Sequence, residues 1–205
     1  MRIMTTVITG IFGLSALAWI TDSSNDFERY WPQWRGPYAT GVSRTGDPPV
    51  EWSEDKNIKW KVEIPGSGHA SPIVWGDRVF VQTAIETGAP VEARQQSSRG
   101  RHPRGVQPTQ ALKYTILAIN RKDGSAIWQR TAREELPHEG RHSTGTFASN
   151  SPVTDGQHVY AYFGSRGLYC YDLDGNLIWE KDLGVMNKRL AFGEGSSPTL
   201  YGDRI

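Results

Sequence analysis

Ala118-Ile119-Asn120-Arg121-Lys122-Asp123-Gly124-Ser125-Ala126-Ile127-Trp128 is the stretch whose reading decides the fold. A small residue, an apolar residue and an Asn lead into a turn containing Asp-Gly, and an aliphatic run then ends in Trp. That order describes a β-hairpin: Asp-Gly takes up the positive-φ positions of the turn, and the flanking residues suit strands. The order recurs at Cys170-Tyr171-Asp172-Leu173-Asp174-Gly175-Asn176-Leu177-Ile178-Trp179, shorter by one residue. A hairpin that returns with its tryptophan in place is a repeat, and a repeat sets architecture before any single element does.

A second unit stands ahead of each hairpin. Ser71-Pro72-Ile73-Val74-Trp75-Gly76-Asp77-Arg78-Val79-Phe80-Val81 is similar to Ser151-Pro152-Val153-Thr154-Asp155-Gly156-Gln157-His158-Val159-Tyr160-Ala161. The pattern starts again at Ser197-Pro198-Thr199-Leu200-Tyr201-Gly202-Asp203-Arg204-Ile205. Each reads as a strand, a glycine turn and another strand, with proline at the strand start, where it interrupts no interior ladder bond. The two units joined give four antiparallel strands per repeat. Pro152 and Pro198 lie 46 residues apart, the length of a propeller blade. Pro72 and Pro152 lie 80 apart, so the first repeat carries an insertion of about one and a half to three dozen residues. It falls at about 87–110, rich in Gly, Pro, Gln, Ser and Arg. No acidic residue occurs from Ala93 to Lys122, whereas Arg94, Arg99, Arg101 and Arg104 do.

One four-stranded sheet cannot cover both of its faces, so blades must stack around an axis. A tryptophan on each outer strand is suited to the joint: burying it removes up to ~250 Å² from water, worth roughly 4–6 kcal/mol before entropy is subtracted. Trp128 and Trp179 are the expected docking residues, seated with the turn glycines Gly124 and Gly175, and Trp60 is a third. Asn57-Ile58-Lys59-Trp60-Lys61-Val62-Glu63-Ile64 reads as an outer strand ahead of the first Ser-Pro unit, the arrangement expected if the two chain ends close the ring. The chain ends inside the second strand of a new repeat. The fold expected is therefore all-β: a propeller of four-stranded blades, here about two full blades plus partial ones, occupying 57–205 after an N-terminal extension at 19–56.

Composition agrees with that class. In 205 residues there are 22 glycines and eight tryptophans, many turns and many large aromatics. The balance of 23 basic against 22 acidic residues gives no reason to expect nucleic acid as a partner. Residues 1–18 read as a signal peptide: Arg2 is the positive start, Val7 to Leu17 is mostly apolar, and Ala16-Leu17-Ala18 fits a cleavage site. Periplasmic or extracellular residence follows as an expectation, with no stable membrane span after cleavage and an uncleaved N-terminal anchor as the alternative. The single cysteine, Cys170, offers no intramolecular disulfide and no ligand pair, and reads as a buried apolar filler.

These residues resemble the pyrroloquinoline-quinone-like (PQQ-like) repeat superfamily. The run Ala118 to Trp128 fits its tryptophan-docking pattern, from which Cys170 to Trp179 departs by its one-residue deletion. Trp31-Pro32-Gln33-Trp34-Arg35-Gly36-Pro37 followed by Gly41-Val42-Ser43 also looks like the N-terminal signature of exported members. The resemblance covers about Tyr30 to Ile205 and implies a complete propeller of seven or eight blades, with eight favoured.

The resemblance implies two functional classes. Quinoprotein dehydrogenases of this fold hold PQQ and Ca²⁺ in the central cavity beside vicinal cysteines, and none of their binding motifs matches a residue here. The other class is an interaction platform of BamB-like architecture, with other exported or envelope proteins as partners. This sequence lacks the lipoprotein cysteine near its cleavage site, which sets it apart from BamB itself. The scaffold is the reading adopted, with no catalytic residue, no metal ligand and no demonstrable cofactor, and the PQQ-dependent alcohol or sugar dehydrogenase is the alternative. His69 and Ser71, Asn150 and Ser151, and Glu194 and Ser196 precede the first strand of each repeat. Such positions fall at the mouth of a propeller's channel, where a ligand or partner binds, although Ser and Asn also cap turns there. His138 and His142 read as loop histidines, because Pro137, Gly140 and Gly145 oppose a helix that would align them.

Overall fold

A computed structural model describes residues 23–90, 105–188 and 192–205. The expected signal peptide and the arginines of the insertion lie outside the described residues.

The first blade is built from β1 (Ile73–Trp75), β2 (Arg78–Pro90), β4 (Gln110–Asn120) and β5 (Ala126–Glu135), hydrogen-bonded in the order β1-β2-β4-β5. The second contains β7 (Val153–Thr154), β8 (His158–Tyr162), β9 (Leu168–Asp172) and β10 (Leu177–Lys181) in the same sense. Every neighbouring pair is antiparallel. A two-stranded ribbon, β3 (Gly105–Val106) with β6 (Arg141–His142), joins the base of the insertion to the crossover between blades. The only helices among the described residues are α1 (Ser23–Arg29) and the short 3₁₀ turn η1 (Gly164–Arg166).

The hairpin turns form as the sequence dictates. Gly124 and Gly175 have φ of 79° and 83°, a region closed to most L-residues. Asp123 Oδ1 accepts the Ser125 N–H at 2.9 Å, and Asp172 Oδ1 accepts the Asn176 N–H at 2.8 Å. The one-residue deletion in the second repeat is absorbed in this turn. After it, Ala118 faces Trp128 and Cys170 faces Trp179, the same register in both blades.

Both outer strands carry a ladder irregularity at the residue before the tryptophan. Pairing skips Ile127 between Ala126 and Trp128, and skips Ile178 between Leu177 and Trp179. A bulge bends its strand and re-aims the next side chain. Ile127 and Ile178 are accordingly exposed, while Trp128 is buried against the next blade.

The core lies between the two blades. Ile73, Phe80, Tyr114, Ile116 and Ala118 of the first pack with Val159, Ala161, Phe163, Tyr169 and Tyr171 of the second. The Phe80 and Trp128 rings lie 5.8 Å apart and the Trp128 and Tyr171 rings 6.3 Å, so one indole spans the joint. Cys170 is a free, buried thiol on β9, and burial pushes it up to about 11.

One expectation differs. Residues 57–64 lie outside every named strand, because no described strand offers them a ladder partner. Trp60 is placed without one, by its indole alone.

Candidate functional site at the blade joints and channel mouth

Two tryptophans dock in the same way. Trp128 Nε1 donates to the Leu173 carbonyl at 2.9 Å, with its ring over Gly175. Trp60 Nε1 donates to the Arg121 carbonyl at 2.9 Å, with its ring over Gly124. In each case the indole N–H reaches a carbonyl of the next hairpin turn and the ring covers that turn's glycine. Trp179 is more than a third exposed, and its ring lies beside Tyr160 at 5.9 Å.

The residues ahead of the inner strands converge. The Ser71 N–H donates to Ser151 Oγ at 2.9 Å, and the Ser151 N–H donates to Ser197 Oγ at 2.9 Å. Each Ser-Pro unit thus donates a backbone hydrogen bond to the serine hydroxyl of the next. Asn150 Nδ2 donates to the Ser196 carbonyl, and the His69 N–H donates to Thr146 Oγ1 and the Ala148 carbonyl. Through backbone N–H groups at His69 and Ser71 and side chains at Asn150, Ser151 and Ser197, these positions tie one repeat to the following one. Nothing in a single sequence signals that, because the two partners lie a whole repeat apart.

Glu194 belongs to a different group. Its carboxylate accepts from the Ser165 N–H and hydroxyl and from Lys188 Nζ, the last at 2.7 Å. Burial pushes its carboxyl upward, but the lysine and the Ser165 donors outweigh burial and hold it below the usual range. Lys188 also pairs with Glu139 at 3.1 Å. Beside them Arg166, almost fully buried, pairs with Glu135 at 2.8 Å and donates to His138 Nδ1 at 2.9 Å. His138 Nε2 donates in turn to the Met186 carbonyl at 2.8 Å. Tyr114, whose ring faces the Arg166 guanidinium, has its phenol pushed up to about 12 by burial. The cleft among these groups has a volume of about 30 Å³, room for a water or two and not for a cofactor.

The N-terminal signature performs a task that its motif did not disclose. Trp31 and Val74 exchange two backbone hydrogen bonds, 3.1 and 2.8 Å, and the Pro32 carbonyl accepts the Thr154 N–H at 2.9 Å. Trp31-Pro32 therefore straps the free edges of β1 and β7, the innermost strands of both blades. Among the described residues no three His, Cys, Asp or Glu side chains gather as metal ligands. His142 sits apart from His138, with Nδ1 at 2.8 Å from Thr144 Oγ1.

A family profile described as outer membrane protein assembly factor BamB matches residues 42–191, most of the chain. This chain belongs to the BamB-like PQQ-repeat family. Among solved structures, that of BamB from Moraxella catarrhalis matches with 19% identity over 63% of this chain, at a TM-score of 0.27. The chain covers 45% of that protein, less than half its length. No curated protein matches the sequence.

The group implied by the superfamily's name is pyrroloquinoline quinone, a tricarboxylate that needs cationic partners. The cleft between these two blades does not fit it. Arg166 and Lys188, the cations at the cleft, are each committed to carboxylates of this chain. The cleft they line is far too small for a fused tricyclic ring.

Proposed function

We propose that this chain is part of a non-catalytic propeller scaffold that binds other proteins in the cell envelope. The observation that carries the reading is the match of residues 42–191 to the family described as an outer membrane protein assembly factor. The internal pairing of Arg166 and Lys188 supports it: these charges rigidify the joint between blades and stand committed to structure. No helix among the described residues is long and apolar enough to cross a membrane. Residues 1–18 supply the export part of the proposal.

The test uses the complete protein in its own cells. A photo-crosslinker at the exposed Trp34 position, followed by fractionation, should give defined adducts with envelope proteins. Recovery of the protein in the cytoplasm, without adducts, would overturn the reading. Titration of the purified protein with PQQ and Ca²⁺ separates the dehydrogenase: stoichiometric uptake with dye-linked alcohol oxidation would replace the scaffold by an enzyme.

A further inference from the structure

We infer that the cavity beneath the β3–β6 ribbon is a docking site for an acidic side chain of an extended partner peptide. The inference rests on the scaffold reading and gives that partner a chemistry.

The ribbon stands over the far ends of β2 and β4 and encloses about 90 Å³. Its lining includes Ser67, Glu86, Gln107, Gln110, Arg141 and Phe147. The volume suits one carboxylate-sized group and excludes a drug-sized ligand. Arg141 is the lining cation, and among the described residues no carboxylate lies within ion-pair distance of it. Its Nη1 reaches only the neighbouring His142 and Ser143 carbonyls, at 3.2 and 3.4 Å. Its Nε is buried with no partner. The guanidinium has no carboxylate of its own chain among the described residues, and a carboxylate is the group whose geometry matches its donor fork. The ring of Phe147, 5.4 Å from the guanidinium carbon, holds the fork in place.

Arg141 contrasts with Arg166, which sits in the neighbouring cleft and has its carboxylate supplied by Glu135. The sequence between β2 and β3 carries Arg94, Arg99, Arg101 and Arg104 against Glu92 alone. Glu86 is the one lining carboxylate, and it opposes the incoming charge.

The experiment measures fluorescence anisotropy of a labelled oligoglutamate peptide, with oligoglutamine as control, on the complete protein. Glutamate binding should exceed glutamine binding. Arg141→Gln should weaken it about tenfold, and Glu86→Gln, an exposed position that leaves the fold intact, should tighten it severalfold. Equal binding of the two peptides overturns the inference. So does Arg141→Gln binding within about twofold of the parent, which would assign the attraction to diffuse charge. A Glu86→Gln protein without tighter binding overturns it as well. Envelope adducts formed equally by the parent and by Arg141→Gln would sink this site and leave the scaffold intact, whereas adducts from neither would sink the scaffold.

Discussion

Gly175 lies so close against the Trp128 ring that a Cβ on the glycine would lie 2.7 Å from the indole. Gly124 and Trp60 repeat the relationship at 2.8 Å. Both glycines also hold positive φ, so alanine meets two penalties at once: backbone strain and a collision with a ring that cannot retreat.

Gly175→Ala should therefore destabilise the protein by about 2–4 kcal/mol. Trp128→Phe, which keeps much of the ring but loses the bond to the Leu173 carbonyl, should cost about 1–3 kcal/mol. Urea denaturation of both single variants and the double checks this. The two sites share one contact, so their effects should not add. Strict additivity would show that the glycine and the indole are not coupled.

The hairpins and the four-stranded blades were legible because both rest on local chemistry: Asp-Gly turns, strand-forming flanks and a proline at the strand start. The period was legible because Pro152 and Pro198 repeat it. Trp60 was legible as a docking residue but not as an unpaired one, since pairing depends on what lies beside it. The bulges at Ile127 and Ile178 stayed hidden, because an extra residue in a strand leaves no mark in an aliphatic run. The strap at Trp31-Pro32 and the serine series Ser71, Ser151 and Ser197 stayed hidden for a different reason: each joins segments tens of residues apart, the strap through backbone groups that every residue has and the series through a hydroxyl whose partner lies a whole repeat away.

Ser151→Ala tests the serine series. It removes the hydroxyl that accepts the Ser71 N–H and leaves that donor without its partner at the joint. The expected loss is about 1–3 kcal/mol. Backbone hydrogen exchange should locate it, with Ser71 gaining exchange far more than the β4 amides. Unchanged protection at Ser71 would mean that the hydroxyl is dispensable.

Cys170 reports on the whole fold. Burial raises its thiol to about 11, so at about pH 8 little thiolate exists and none is exposed. A thiol-specific dye should react only as the protein unfolds, with a rate that rises with urea in step with unfolding. Fast, urea-independent labelling would contradict the burial of β9.

Glu194 gives the joint a pH dependence of known sign. Its folded carboxyl is held below the usual value of 4.5, against the pull of burial, by Lys188 and the Ser165 donors. A depressed carboxylate contributes stability that is fully present above its unfolded value and is lost as pH falls through the folded one. Glu194→Gln keeps the shape but cannot pair with Lys188, which retains Glu139. At neutral pH the variant should be weaker by about 1–3 kcal/mol. Other carboxylates also sit low, Asp155 and Asp172 among them, so the parent's acid unfolding alone does not isolate Glu194. The gap between parent and variant does. Urea unfolding at a series of pH values should show that gap narrowing below about 4.5, where protonation of Glu194 makes the parent resemble the variant. A gap that stays constant from neutral pH into that window would mean that Glu194 acts through its shape and not its charge.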